Sequence, residues 1–550
     1  MINNLVTRFK LGTTGLVLLA SLWLASICNI ALWVALWRLP EITGFQGLVF
    51  LLGFFAFIAG LQTAFLSIFA WRWTLKPVIG FCLIAGALGA YFMLTYGVVI
   101  DKGMMVNVLQ TDVHESKELL SLRLILAITF MAILPIGLMW RAEIKRAPFF
   151  SQLKSNLATL VIACLVAVAA VMLTFQSMAS VMRNHKQIRF MINPLNSVYA
   201  LGLIAREPFI QMKLPTVKIG EDAQRGASWT ANSKPLLLIL VVGETARAAN
   251  FSLNGYERNT NPELSQENVI SFKQAYSCGT STAASVPCMF SHLGRVDYGK
   301  RDANYENLLP VLKRAGMAVL WRDNNAGCKG VCSKDDEQNM QHLSVQGICT
   351  AQECLDEILL QQLDAKVAAL LKGNKARGAV IILHQMGSHG PAYHLRSPKA
   401  FKIFLPECET NTLQSCTQEQ VINAYDNTIL YTDHFLALTV QWLKARSGRF
   451  DTAMLYMSDH GESLGENNTY LHGLPYMIAP DVQKHIPMIA WLSPQMEQRT
   501  GVSMECLREQ QEKPLSHDNL FHSVLGVLDI QTNVYRRERD LFAPCDKATN

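Results

Sequence analysis

The sequence carries little charge and no repeat or low-complexity tract. Charged residues make up 17% of the 550 residues, and the formal net charge is only +6. A balance this mild does not indicate a nucleic-acid-binding protein, for which a strongly basic patch is typical. No small-residue cleavage site follows the first apolar run, which is too long for the core of a signal peptide. We therefore interpret that run as a retained membrane span.

Long apolar runs are absent beyond about residue 180, and before it they dominate. Five are long enough to cross a bilayer as helices: residues 12–36, 46–70, 77–100, 122–140 and 157–175. Basic residues concentrate on one side of these spans, at Arg8, Lys10, Arg72, Lys76, Arg141, Lys145, Arg146 and Lys154. The positive-inside rule then puts the N-terminus in the cytoplasm and everything after about residue 176 across the membrane.

No cysteine lies outside the predicted spans before residue 278. Three of the thirteen lie in spans, at Cys28, Cys82 and Cys164. The other ten are Cys278, Cys288, Cys328, Cys332, Cys349, Cys354, Cys408, Cys416, Cys506 and Cys545. An even number beyond the membrane indicates disulfides in an oxidising compartment, and the close spacings favour local pairs. Spacing alone leaves the connectivity open, and it leaves a zinc site at 328, 332, 349 and 354 as an alternative.

The chain is predicted to have three parts. Residues 1–176 form a transmembrane domain of five helices, and residues 177–235 form interfacial amphipathic helices and a linker. Residues 236–550 form an α/β domain, because short apolar runs at 236–242, 317–321, 379–383, 452–457 and 487–492 alternate with helical stretches. This pattern is typical of a parallel sheet covered on both faces. Such sheets bind ligands outside the carboxyl ends of their strands.

Polar side chains follow these strands where a site is expected. Glu244 follows the first strand, and Asp459 and His460 follow the fourth. Asp, Glu and His suit zinc, which in catalytic sites keeps one position open. A helix cap with a solvent-facing imidazole is the alternative for Asp459 and His460, and ordinary capping is the alternative for Glu244.

A candidate nucleophile lies in a small-residue loop bracketed by two cysteines. Residues 277–288 read S-C-G-T-S-T-A-A-S-V-P-C. A disulfide across this loop would hold one hydroxyl, such as that of Thr282, rigidly at the mouth of a site. A bound metal would activate that hydroxyl as it activates water. A structural disulfide in a polar surface loop is the alternative.

Four further residues are candidates for holding a phosphate. His389 lies in G-S-H-G-P and His472 in Y-L-H-G, and either could bind phosphate, protonate a leaving group or hold a second metal. Asn325 and Lys329 follow the second strand and could contact a phosphate head group. Surface or structural roles remain open for each of them.

Several long motifs closely resemble the phosphoethanolamine transferases that modify lipid A, a family that includes the mobile colistin-resistance enzymes. They are V-V-G-E-T-A-R-A-A-N-F-S-L-N-G-Y-E-R-N-T-N-P (241–262), S-C-G-T-S-T-A-A-S-V-P-C-M-F (277–290), W-R-D-N-N (321–325), G-S-H-G-P (387–391) and M-S-D-H-G-E-S-L-G-E (457–466). The resemblance covers nearly the whole chain. Several motifs in one order are far more specific than any single one.

The resemblance implies a fold and a set of roles. The fold is a five-helix membrane domain followed by a periplasmic α/β/α domain of the alkaline-phosphatase type with a mainly parallel sheet. Glu244, Thr282, Asp459 and His460 match the family's shell for one tight Zn²⁺, with Thr282 the nucleophile. His389 and His472 match a second histidine pair near the donor phosphate or a second zinc. Matches of Asn325 and Lys329 to the head-group site, and of Asn107 and Glu115 to lipid binding, complete the set.

The implied reaction is a two-step transfer at the bacterial inner membrane. Thr282 takes phosphoethanolamine from phosphatidylethanolamine, diacylglycerol leaves, and a lipid A phosphate then accepts the group. The added amine would lower sensitivity to polymyxin and other cationic peptides. We expect a monomer whose partners are these lipids and no nucleic acid.

Four alternatives remain. An acceptor in the lipopolysaccharide core would leave the motifs alike. A glycerol-phosphate polymerase also combines five spans with a threonine nucleophile, but ten extracytoplasmic cysteines argue against it. A sulfatase needs a Cys/Ser-x-Pro-x-Arg motif, and the stretch from Ser285 lacks the arginine. A non-enzymatic membrane sensor or scaffold predicts loss of one of the four shell residues, and all four are present.

Overall fold

A computed structural model describes residues 10–110, 113–145, 147–211, 214–230, 233–350, 353–373 and 376–546. The chain divides into two compact units. After the roles that the sequence predicts for them, we call residues 1–105 and 120–207 the membrane unit and residues 106–119 and 208–550 the catalytic unit. The segment 106–119, which lies between two spans in the sequence, therefore groups with the catalytic unit.

The membrane unit contains five helices long and apolar enough to cross a bilayer, counted over the described residues. They are α1 (Thr13–Trp37), α2 (Gly44–Ile68), α3 (Leu75–Tyr96), α6 (Leu122–Arg141) and α7 (Phe149–Asn184). A buried polar contact ties two of them to a later loop, because the carbonyl of Asn193 accepts hydrogen bonds from Asn29 at 2.6 Å and Gln62 at 2.8 Å. The five predicted spans are confirmed.

Shorter helices accompany the spans. Helices α4 (Lys102–Gln110) and α5 (Val113–Glu118) come between α3 and α6 in the chain. A 3₁₀ turn (Lys186–Phe190) and helix α8 (Leu195–Gln211) follow α7. Residues 177–211 are thus largely helical as expected, and their interfacial position stays a prediction.

An eight-stranded sheet organises the described part of the catalytic unit. Its strands are β1 (Leu236–Gly243), β2 (Ile270–Tyr276), β3 (Ala318–Asp323), β4 (Glu337–Asn339), β5 (Gly378–His384), β6 (Asp451–Ser458), β7 (His485–Leu492) and β8 (Pro514–Ser516). Their order across the sheet is β8-β2-β7-β6-β1-β5-β3-β4. The β7 strand is antiparallel to both neighbours, and the other pairings are parallel. The predicted α/β class with a mainly parallel sheet is confirmed.

Helices cover both faces of this sheet. They are α9 (Thr282–Met289), α10 (Leu308–Arg314), α11 (Leu363–Gly373), α12 (Gln418–Lys444), α13 (Pro494–Thr500), α14 (Met504–Glu509) and α15 (Leu520–Val527). Alternate residues of β1 enter two separate cores: Leu238 and Leu240 pack on one face, and Leu237 and Ile239 on the other. All eight β1 residues are buried, as a central strand covered on both faces requires.

Five disulfides staple the described catalytic unit. They join Cys278–Cys288, Cys328–Cys332, Cys349–Cys354, Cys408–Cys416 and Cys506–Cys545. The zinc alternative for four of these cysteines is excluded by their pairing. Burial of the apolar cores and these covalent staples together hold the loops at the carboxyl edge of the sheet.

Candidate active site and metal centre

The Thr282 hydroxyl stands at the first residue of α9. The preceding loop is held by the Cys278–Cys288 disulfide and by a hydrogen bond of 3.0 Å from the Gly279 backbone amide to the Ser285 hydroxyl. A second bond of 3.0 Å runs from the Cys278 amide to Nδ1 of His517. The start of a helix also presents free backbone amides to an anion. The loop therefore fixes a hydroxyl where a phosphate would be stabilised.

Two adjacent strands bring the three predicted metal ligands together. Glu244 follows β1, and Asp459 and His460 follow β6, which pairs with β1 in parallel. All three side chains are fully buried, and Nε2 of His460 lies 3.4 Å from Glu244 Oε1 and 3.3 Å from Asp459 Oδ2. The Thr282 hydroxyl donates to Glu244 Oε2 at 3.0 Å and lies 3.5 Å from His460 Nε2. The helix-cap alternative for Asp459 and His460 is wrong, since no helix begins there and neither residue reaches solvent.

Backbone geometry holds the carboxylates of Glu244 and Asp459 facing each other. Thr245 has φ of 52°, a left-handed conformation that is rare for a β-branched residue, and its amide donates to Asp459 Oδ1 at 3.2 Å. Gly387, with φ of 54°, packs against the backbone of Glu244 so closely that a Cβ would lie 2.7 Å from the Glu244 carbonyl oxygen. Strain is thus stored beside the glutamate, as is common at functional sites.

The donor set fits a zinc ion. Glu244 Oε1 and Asp459 Oδ2 are buried and have no hydrogen-bond partner, although such groups are almost always satisfied. Burial, together with the Asp459 carboxylate, raises the pKa of Glu244 well above its ordinary value. Burial also lowers the pKa of His460 to about 3, so its imidazole is neutral and can act as a ligand. A divalent cation among these atoms would remove the cost of facing carboxylates, and three N and O ligands plus a hydroxyl is a usual zinc shell.

A second group of possible ligands shares the same glutamate. Ligand atoms of Glu244, His389 and His472 lie within 4.8 Å of one another. The ring centroids of His389 and His472 are 5.6 Å apart, and those of His460 and His472 are 4.3 Å apart. Glu462, which is fully buried, lies 3.3 Å from Nδ1 of His472 and orients its ring. The two histidines therefore lie beside the predicted zinc ligands Glu244 and His460, and their roles stay predictions.

A small cleft opens above these groups. It is lined by Asn107, Gln110, Thr282, Ala283, Asn325, Ala326, Lys329, His389 and His472. Asn325 also donates to Glu244 Oε2 at 2.9 Å. Asn107, Asn325 and Lys329 thus line the same cleft as Thr282, and their roles stay predictions. The side chain of Glu115 lies outside the described residues. The Cys328–Cys332 disulfide brackets Lys329.

Sequence reasoning missed the residues that support the cleft from behind. Asp323 accepts hydrogen bonds from Nδ1 of His384 at 2.7 Å and from the backbone amide of Asn325 at 2.9 Å. Buried Asp356 accepts from the amides of Met386 and Gly387, which precede His389. Glu462 lay inside a quoted motif, and Asp323 directly preceded Asn324 and Asn325. The contacts of Asp323 with His384 and of Asp356 with the amides of residues 386 and 387 join segments at least 30 positions apart, so local sequence offered no signal of them.

Comparison with known proteins agrees with this geometry. A family model described as "Phosphoethanolamine transferase EptA/EptB" matches residues 58–209, and one described as "Sulfatase" matches residues 237–530. The chain is 38% identical over 550 residues to phosphoethanolamine transferase EptA of Salmonella typhimurium LT2, with 99% of each covered.

This chain belongs to the EptA/EptB phosphoethanolamine transferase family.

Two further relatives show how far the likeness extends. The transferase is 40% identical over 472 residues to phosphatidylethanolamine transferase Mcr-1 of Escherichia coli, covering 84% of this chain and 85% of that protein. The solved integral membrane lipooligosaccharide phosphoethanolamine transferase A of Neisseria meningitidis superposes with a TM-score of 0.91 at 35% identity, over 98% of this chain and 99% of that one. The transferase therefore shares the fold over its whole described length.

Proposed function

We propose that this transferase moves phosphoethanolamine from phosphatidylethanolamine to a phosphate of lipid A through a phosphoethanolamine–Thr282 intermediate. The hydrogen bond of 3.0 Å between the Thr282 hydroxyl and Glu244 carries the proposal, because it joins a nucleophile at a helix start to a buried carboxylate whose other oxygen, Oε1, has no hydrogen-bond partner. Relatives named for phosphoethanolamine transfer support the donor group. The name of the lipooligosaccharide enzyme supports a glycolipid acceptor.

Zinc is the cofactor we propose, held by Glu244, Asp459, His460 and Thr282. When bound, it would lower the pKa of the Thr282 hydroxyl and offset the negative charge of the donor phosphate. One tight site is proposed from the two unpartnered buried carboxylate oxygens. The cluster of Glu244, His389 and His472 is the place for a second ion.

The chain's own residues account for both steps. The Thr282 oxygen forms a bond to the donor phosphorus as its proton passes to the Glu244 carboxylate that accepts its hydrogen bond, and the bond from phosphorus to the diacylglycerol oxygen breaks. His389 or His472 supplies the proton that this oxygen takes. A lipid A phosphate hydroxyl then attacks the same phosphorus and gives its proton to that histidine, and Thr282 leaves and recovers its proton from Glu244. Backbone amides at the start of α9 stabilise the charge that develops in each step.

The remaining residues bind and orient the lipids. The Lys329 ammonium provides a point charge for the phosphate, and the Asn325 amide holds Glu244 in place. Asn107 lines the same cleft as Thr282. Glu115 is proposed from its motif alone.

A membrane location completes the proposal. Five apolar helices precede the catalytic unit in the chain. We propose the inner membrane, with residues 236–550 in the periplasm, residues 177–235 as interfacial helices and linker, and a monomer as the working form. Disulfides in the catalytic unit support an oxidising compartment. A lipid A that carries an added amine attracts cationic peptides less, so lower sensitivity to polymyxin should follow.

Mass spectra of lipid A provide the test. A polymyxin-sensitive Gram-negative host would express the protein or Thr282→Ala at matched levels. A phosphoethanolamine adduct on lipid A with the wild type alone is the expected result. An adduct on core sugars instead would overturn the acceptor, and no adduct from well-expressed wild type would overturn the transfer reaction itself.

A further inference from the structure

One buried arginine, Arg396, contacts three chain segments that lead to residues lining the cleft. The Arg396 side chain is 2% exposed. Its Nε donates to the backbone carbonyl of His389 at 2.9 Å, and its Nη2 donates to both carboxylate oxygens of Glu118 at 2.8 and 2.7 Å. Its Nη1 pairs with Glu353. A planar guanidinium that uses three nitrogens in this way holds its partners in a defined geometry.

Glu118 anchors the segment that carries two cleft residues. It ends α5, which follows α4 in the chain, and α4 presents Asn107 and Gln110 to the cleft. Glu118 itself is buried, and its backbone carbonyl accepts a second hydrogen bond of 2.9 Å from Asn411. Because only ten residues lie between Asn107 and Glu118 in the chain, fixing Glu118 restricts where Asn107 can lie.

Glu353 connects the same guanidinium to the loop that carries Asn324 and Asn325. It precedes Cys354, whose carbonyl accepts a hydrogen bond of 3.0 Å from Asn324. Asn324 in turn precedes Asn325, which contacts Glu244. The guanidinium thus contacts the His389 backbone directly. It is linked to α4 through Glu118 and to the loop of Asn324 and Asn325 through Glu353.

A contribution to the stability of the fold does not by itself explain this buried ion cluster. Removing a guanidinium and two carboxylates from water is costly, and buried ion pairs often add little net stability compared with apolar packing. What the cluster does provide is a fixed arrangement of three chain segments. A buried pair remote from the cleft, Arg499 with Asp451 at the start of β6, offers a comparison, since its side chains are 6% and 9% exposed.

We propose that Arg396 is a positioning residue for lipid-donor binding, acting through Glu118 on Asn107 and Gln110 and directly on the His389 backbone. The inference rests on the proposed function, because the ligand positioned is the phosphoethanolamine head group of the donor. Arg396 itself lines no part of the described cleft. Its effect is therefore on how tightly the donor is bound.

Donor kinetics of full-length Glu118→Gln test this. Purified protein in mixed detergent micelles would receive phosphatidylethanolamine labelled in an acyl chain together with a fixed, saturating amount of lipid A as acceptor, and the steady-state rate of diacylglycerol release would be measured. Arg396 keeps Glu353 as a counter-charge in this variant, so the fold should persist. We expect KM for the donor to rise about tenfold while kcat changes less than about threefold, the pattern of lost ground-state binding. Asp451→Asn is the matched control and should leave both constants within about twofold of wild type.

A double-mutant cycle separates positioning from a general loss of structure. If Glu118 acts through Asn107, adding Asn107→Ala to Glu118→Gln should raise KM little further, since the contact is already lost. Independent effects that multiply would overturn the inference. The Asp451→Asn and Asn107→Ala effects, by contrast, should multiply.

A milder variant guards against misfolding. Asn411→Ala removes one hydrogen bond to Glu118 and leaves every charge in place, so its donor KM should rise about threefold. A wild type that releases no diacylglycerol would overturn the proposed function. An active wild type with donor KM unchanged in both Glu118→Gln and Asn411→Ala would overturn the role of Arg396 and leave the proposed function standing.

Discussion

The side-chain amide of Asn325 donates a hydrogen bond of 2.9 Å to Oε2 of Glu244. These residues follow β3 and β1, which are separated in the sheet by β5. The bond therefore spans two strand intervals at the carboxyl edge and places an uncharged donor on the same oxygen that accepts from Thr282. The orientation of Glu244 thus depends on a loop that contributes none of the proposed zinc ligands.

Removal of this amide should slow the reaction without abolishing it. Hydrogen bonds to charged groups contribute about 1.5–3 kcal/mol, so Asn325→Ala should lower kcat/KM for the donor by about 10- to 100-fold. Initial rates of diacylglycerol release provide the measurement. Asn339→Ala, which alters an exposed amide at the end of β4, is the control. Equal rates in Asn325→Ala and wild type would contradict the assigned contact.

The reaction rate should depend strongly on the hydroxyl of Thr282, the proposed nucleophile. Thr282→Ala lacks the attacking oxygen and should lower the rate at least about 10³-fold, whereas Thr282→Ser keeps an oxygen there and should retain part of the activity. Intact-protein mass spectrometry after incubation with donor should show a phosphoethanolamine adduct on wild type alone. An adduct on Thr282→Ala would assign the nucleophile elsewhere.

Metal content offers a readout independent of activity. Asp459→Asn removes one of the two unpartnered buried carboxylate oxygens from a shell of few ligands. We expect wild type to retain about one tightly bound zinc per chain after dialysis and the variant to lose most of it, by elemental analysis. Asp451→Asn, at the opposite end of the same strand, should keep its zinc. Equal zinc in all three proteins would remove Asp459 from the site.

Stability should depend on pH through Asp323. Burial by itself raises the pKa of this carboxyl, but His384 and several hydrogen-bond donors outweigh it and hold the pKa below the ordinary 3.8. A depressed carboxyl pKa stabilises the fold fully above the unfolded value and loses that contribution as pH falls through the folded value. Asp323→Asn should therefore cost about 3 kcal/mol at neutral pH, and its difference from wild type should shrink below about pH 4. Thermal unfolding at a series of pH values checks this, and a gap that widens on acidification would contradict it.

The five disulfides should contribute unequally. Cys506–Cys545 spans 39 residues and Cys328–Cys332 only 4, and the chain-entropy model gives about 4 and about 2 kcal/mol respectively. Paired Cys→Ala variants of the first should thus lose more stability in denaturant unfolding. The second pair brackets Lys329, so its removal should instead raise donor KM. The reverse order of stabilities would show that native strain outweighs loop entropy.

Much of the site was predictable because its residues belong to local motifs. Glu244, Asp459 and His460 each follow an apolar strand directly, so one rule about strand ends located all three. Asn325 and His389 carried similar signals, and His472 lies in the loop Y-L-H-G; the roles of all three remain predictions. The strand bounds differed by one or two residues, and β7 is antiparallel although its apolar run gave no sign of direction. An apolar run reports burial on both faces, which either orientation satisfies.

The sequence by itself determined which segments are apolar enough to cross a membrane, which strands are buried, and which residues are candidates for the chemistry, because these depend on composition and on neighbours along the chain. Only the tertiary structure decided which of these residues meet. The grouping of residues 106–119 with the catalytic unit, the ion cluster of Arg396 with Glu118 and Glu353, and the hydrogen bond between Asp323 and His384 all join segments far apart in sequence. Such contacts follow from strand order and packing, and neither is encoded in the spacing of any single motif.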